Sequence, residues 1–167
     1  MKADIITPFI EGKIITPFIE GMVKVFQEEL AIACQKKSVS FHYVHVTWHE
    51  VNVLIDIKGV LEAAVVYGME KDTACTLAGA FHKNKSFRGY CYEVEDSVKE
   101  LFNIVSGQAL KTLESKGLAC TRPGPPSVIL GRLRVVPVVS RPQLAVVMDT
   151  PAGEVRLSVS MVDKADR

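Results

Sequence analysis

Apolar and polar positions recur along this chain with two periods, and the periods divide it into helices and strands. Residues 17–30 read P-F-I-E-G-M-V-K-V-F-Q-E-E-L, which puts Ile19, Met22, Val23, Phe26 and Leu30 on one helical face. Thr16 and Pro17 supply an N-cap and a first helical residue for it. Residues 40–46 and 51–57 are rich in Val, Ile and aromatic side chains and predict strands. Lys58 and Gly59 predict a tight turn into a strand over 60–67, completing a hairpin. Residues 70–81 predict a helix with Ala74, Leu77, Ala78 and Phe81 as its apolar stripe. A long helix follows over 94–116, closed by Gly117. Residues 121–126 read T-R-P-G-P-P and interrupt regular structure. Strands are predicted over 131–139, 144–149 and 154–162, the last two joined by a turn at Thr150, Pro151, Ala152 and Gly153. Strands cluster around helices instead of alternating strictly with them. The fold class is therefore α+β, a largely antiparallel sheet packed with long helices.

The N-terminus holds a tandem duplication. Residues 5–12 read I-I-T-P-F-I-E-G and residues 14–21 repeat them, with Lys13 between. Two copies are too few for a solenoid. The second copy runs into the first predicted helix. The first has no such continuation and is expected to form an extra strand or a loose arm without a function of its own. The expected organisation is a duplicated segment over 1–13 and one domain over 14–167. A domain of about 150 residues buries about 68–70% of its unfolded surface, enough for a stable core without disulfides or metals.

Charge narrows the class of partner. The chain has 20 basic and 19 acidic side chains, a net charge of +1, and no basic run longer than Lys36-Lys37. That balance gives no electrostatic case for nucleic acid or an anionic membrane. Cys34, Cys75, Cys91 and Cys120 are widely and irregularly spaced, and small buried thiols are the expectation for Cys34 and Cys75. No secretory leader pattern and no apolar run of about 20 residues is present, so a cytoplasmic protein is expected. His42, His45 and His49 stand close together beside Glu50, but in a strand His42 and His45 point to opposite faces. Their spacing matches no zinc signature, and no metal site is expected. Phosphate-binding glycine loops and the nucleophile elbow of hydrolases are also missing.

The long helix over 94–116 holds the strongest candidate chemistry. Asp96, Glu100, Asn103 and Gly107 stand at offsets of zero, four, seven and eleven. At about 100° per residue they fall within an arc of about 60°. Val98, Leu101, Phe102, Val105 and Ala109 lie mostly on the opposite side. A charged stripe on an amphipathic helix is usually only its solvated face. Two residues argue for more: Asn is a poor helix-interior residue, and Gly costs about 1 kcal/mol against Ala there. Gly107 would let another backbone or a partner approach closely. Leu110 lies near the same stripe and would make an exposed apolar docking contact.

The run D-S-V-K-E-L-F-N-I-V-S-G-Q-A over 96–109 resembles the signature of the CheC/CheX/FliY phosphatases of bacterial chemotaxis: an acidic or Ser residue, three others, Glu, two others, Asn, then small residues. The segment P-F-I-E-G-M-V-K-V-F over 17–26 is similar to the first helix of CheX proteins. The segment P-G-P-P-S-V-I-L-G over 123–131 resembles the proline turn and strand that follow their motif helix, and I-D-I-K-G-V-L-E-A-A-V-V over 55–66 is also in character. The likeness covers most of the chain from residue 14. CheC proteins carry two motif helices and this chain has one, which favours CheX.

The resemblance implies a CheC-like/CheX-like fold and a substrate, the phosphorylated form of a CheY-like response regulator. Asn103 would hold the attacking water and Glu100 would pair with the regulator's active-site lysine. Asp96 would support docking, alongside Gly107 and Leu110. The chain would need no cofactor of its own, since Mg²⁺ would belong to the regulator. A homodimer formed through the sheet is implied as well. Lys99 stands where many relatives have a small residue, and Phe102 is bulkier than usual, so both are expected to bear on partner fit. The alternative is a non-catalytic module that docks a response regulator or a motor component.

Overall fold

A computed structural model of the chain describes residues 2–43, 46–122, 124–136 and 143–161, with side chains described from residue 12 onward. Helix α1 spans Lys2–Val25 and ends in a π-helical turn, Phe26–Leu30. Ala31, at φ 53°, then turns the chain, and the Ile32 N–H donates to the Phe26 carbonyl at 3.1 Å. The first copy of the duplicated segment is thus helical and not a strand. The cost of starting a helix is borne once, so a helix carried by the second copy extends backwards cheaply. Thr16 and Pro17 lie inside α1 and do not start it. The Thr16 hydroxyl donates to the Gly12 carbonyl at 2.9 Å, and Pro17 is buried within the continuing helix. Ile14, Ile15, Phe18, Met22, Val25, Phe26 and Leu30 are buried, while Val23, predicted for the same face, is 40% exposed.

The strands are β1 (Gln35–His42), β2 (Val51–Gly59), β3 (Ala63–Met69), β4 (Cys120–Thr121), β5 (Ser127–Leu130), β6 (Gln143–Thr150) and β7 (Gly153–Met161). Their order is β1-β6-β7-β3-β2-β4, with β5 also on β2, and every pairing is antiparallel. One face packs under the helices. Val53 and Ile55 of β2, Val65 and Tyr67 of β3, Val146 of β6 and Leu157 of β7 all point to it and are fully or almost fully buried. The opposite face carries a smaller cluster of Leu54, Ala64 and Val136, with Val66 and Ile129 against it.

Three further boundaries differ from expectation. β1 begins at Gln35, five residues early, because its polar first half is an exposed edge that apolar patterning does not reveal. The hairpin turns after Gly59 and not at Lys58-Gly59. Gly59 adopts φ +149°, and a Cβ there would stand 2.5 Å from the Ala119 carbonyl oxygen. The strand predicted over 131–139 forms earlier, as β5, and residues 131–133 turn; residues 137–139 lie outside the described residues. Cys34 is buried and Cys75 half-buried, and all four cysteines are free. Burial pushes the Cys34 thiol up to about 12.

Candidate functional site on helix α3

Helices α2 (Lys71–Phe81) and α3 (Tyr92–Ser115) match their predicted spans closely. Cys91 caps α3 in extended backbone geometry, and Glu93 and Glu95 in the first turn suit the positive end of the helix dipole. The Lys85 ammonium donates to Glu93, and the Tyr90 hydroxyl donates to Glu95 Oε2 at 2.8 Å. The Ser97 hydroxyl donates to the Glu93 carbonyl at 2.6 Å and lies 2.7 Å from His82 Nε2. These contacts tie the start of α3 to the end of α2, so the stripe rests on a braced helix.

The core side of α3 is closely packed. Val98, Phe102, Val105 and Ala109 have no exposed surface. Phe102 stacks on Tyr67 with ring centroids 4.3 Å apart and an interplanar angle of 23°. The Tyr67 hydroxyl and Ser106 Oγ share a buried hydrogen bond of 2.9 Å. Burial pushes the Tyr67 phenol above its ordinary pKa, opposed by that hydrogen bond and by the Arg122 charge. Phe102 therefore faces the core and has no surface to offer a partner. Leu110, expected as an exposed docking contact, is only 8% exposed and joins the core.

The remaining stripe is open. Asp96 and Glu100 are exposed, and Asn103 and Gly107 are half-buried. Asp96, Lys99, Glu100 and Asn103 line one wall of a groove of about 490 Å³; Arg122, Gly124, Pro125 and Pro126 line the other. Lys99 thus faces the groove. β4 pairs with the end of β2 through Lys58↔Thr121 and Gly59↔Cys120, which places Arg122 directly over α3. Arg122 Nη1 donates to Asn103 Oδ1 at 2.7 Å and also to the Asn103 carbonyl. A Cβ on Gly107 would stand 3.4 Å from Arg122 Nη2 and 3.7 Å from its Cζ. The group that approaches Gly107 is this chain's own guanidinium. Sequence reading missed Arg122, because a lone arginine before a proline break has no periodic signal.

The described histidines have separate partners. His42 packs its ring on Trp48 at 5.3 Å, His49 Nδ1 lies 3.0 Å from Glu70 Oε1, and His45 lies outside the described residues. Among the described residues no three His, Cys, Asp or Glu side chains gather where a metal ion could be held. None of the described helices is long and apolar enough to cross a membrane.

The profile of one family, described as "Chemotaxis phosphatase CheX", matches residues 51–149, which include the whole stripe. The chain belongs to the CheX family. The fold agrees with it. A CheX structure from Desulfovibrio desulfuricans has a TM-score of 0.78 at 22% identity, covering 89% of this chain and 99% of that one. A CheX–CheY–BeF3–Mg²⁺ complex from Borrelia burgdorferi has a TM-score of 0.71 at 20% identity, covering 89% and 97%. FliY from Thermotoga maritima has a TM-score of 0.70 at 15% identity, covering 93% and 89%. No curated protein sequence matches this chain significantly. Membership places the chain among the chemotaxis phosphatases at the level of the family, with the antiparallel α+β architecture its relatives share.

Proposed function

We propose that this CheX-family chain removes the phosphoryl group from the aspartyl phosphate of a CheY-like response regulator. The observation that carries the reading is the open stripe on α3: Asp96 and Glu100 exposed, Asn103 half-buried, one face of a braced helix forming one wall of a groove. The relative crystallised with CheY, BeF3 and Mg²⁺ supports the choice of partner. In this reading the water oxygen bonds to phosphorus as the bond from phosphorus to the aspartyl oxygen breaks. The products are a free carboxylate and inorganic phosphate. Asn103 orients the water and Glu100 pairs with a cationic side chain of the regulator, with Asp96 extending the same acidic face. Such catalysis is mainly positioning and electrostatics, with Mg²⁺ supplied by the regulator.

We also propose that the protein acts in the cytoplasm, where its substrate is, and that it forms a homodimer through the sheet. β1 ends the described sheet order, and its Val39 and Phe41 are 52% and 46% exposed, a surface that a second copy would cover.

The test mixes the protein with phosphorylated CheY-like regulator and follows release of phosphate. Asn103→Ala should slow the reaction by about 10²–10³-fold, with the fold intact by circular dichroism. An unchanged rate in that variant would overturn the assignment. Complex formation without faster dephosphorylation by the unaltered protein would instead establish the docking module.

A further inference from the structure

Asn103 does not stand alone on its helix. We infer that Arg122 is a positioning residue for Asn103, locking the carboxamide in the one orientation that turns its amide nitrogen away from the guanidinium. The inference rests on the proposed phosphatase reading and adds to it the group that prepares the water-orienting side chain.

Hydrogen-bond chemistry sets the orientation. A guanidinium has only donors, so the carboxamide atom facing it must be the oxygen. Arg122 Nη1 meets Asn103 Oδ1 at 2.7 Å and the carbonyl of the same residue. One donor thus ties the side chain of Asn103 to its own backbone and removes its rotational freedom. The Nδ2 group, on the far side of Cγ, stays free to donate, and Oδ1 keeps one lone pair. An unclamped asparagine on a helix surface would turn its amide through both orientations and present the wrong one for part of the time. The charge on Arg122 also polarises the carboxamide and strengthens its N–H donors.

Two features outside the pair frame the clamp. Gly107 is one turn after Asn103, and the guanidinium lies over its helix face, 3.4 Å from where a Cβ would stand. β4 is pinned to the end of β2, and the β2 residue there is Gly59, against which the Ala119 carbonyl packs at a distance no side chain permits. Arg122 therefore follows a fixed strand and is not free to sample the groove.

Arg122→Ala, Arg122→Lys and the double variant Arg122→Ala/Asn103→Ala test the inference with phosphorylated regulator. Arg122→Ala should lower kcat by about 10–100-fold while KM for the regulator stays within about twofold, since mispositioning acts on the reacting geometry. Arg122→Lys should restore part of the rate. Adding Arg122→Ala to Asn103→Ala should cost nothing further, because the arginine acts through the asparagine. Additive losses, or a loss confined to KM, would overturn the inference and leave the phosphatase reading standing. An unaltered Asn103→Ala rate would overturn the phosphatase reading instead. A second measurement decides the clamp whatever the activity. The Asn103 side-chain amide should be rigid by ¹⁵N relaxation in the unaltered protein and mobile in Arg122→Ala. Equal mobility in the two would overturn it.

Discussion

Helices α1 and α3 are each 24 residues long and pack against each other, and each has one interior glycine that faces a neighbour, Gly21 and Gly107, where glycine is unfavourable. The two glycines serve different neighbours. Gly21 of α1 faces backbone: a Cβ there would stand 3.1 Å from the Val105 carbonyl oxygen and 3.5 Å from the Ala109 nitrogen. It brings two helix axes together. Gly107 of α3 faces a side chain, and a Cβ there would meet the Arg122 guanidinium at 3.4 Å, an ordinary contact. One glycine is a packing device and the other keeps a helix face flat under a charged group. The same costly residue marks a core on one helix and a site on its neighbour.

Three substitutions probe that division. The largest effect is expected at Phe102, which is adjacent to Asn103 in sequence yet stacks on Tyr67 and packs near Phe26 on the core side. Phe102→Ala should lower stability in urea by about 3–5 kcal/mol. A loss below about 1 kcal/mol would mean that Phe102 belongs with the stripe and that the two faces of α3 are not separate. Gly21→Val comes next. It must push apart two backbones and should cost about 1–3 kcal/mol. A neutral result would show that the helices can slide and that Gly21 is not their contact point. Gly107→Ala should have the smallest effect and the opposite sign. Helix propensity favours Ala by about 1 kcal/mol, which for a chain of this size raises the melting temperature by about 2–4 °C. A fall in melting temperature would show that the guanidinium has no slack over α3.

How legible these features were depends on what kind of pattern each one writes. α2, α3 and β7 were readable to within a few residues because one face of each is apolar at the proper period and the other is not, and β6 because residues 144–148 are an unbroken apolar run. β1 was half missed because an edge strand with exposed Gln35, Lys36 and Lys37 has no apolar face to display. α1 misled in a different way. Thr16-Pro17 is a good start for a helix, but a helix already formed on both sides carries a proline through, with a local cost offset elsewhere. In the site, Asp96, Glu100 and Asn103 could be grouped by angle alone, since they depend only on their own helix. Leu110 was misplaced by the same angular argument because another segment covers it. Arg122 was invisible for the related reason that its role exists only after β4 has brought it over α3. Residues whose neighbours are close in sequence could be found there, and those whose neighbours arrive from elsewhere could not.

Gly59 gives that last point a practical side. It touches none of the stripe residues, yet the approach it allows sets β4 beside β2, and β4 leads directly into the arginine that holds Asn103. The motif helix is therefore not a portable cassette. Grafted onto another scaffold, α3 would bring the carboxylates and the carboxamide but leave behind the brace that orients one of them. A faithful transplant has to include a hairpin end from the far side of the sequence, with its glycine intact.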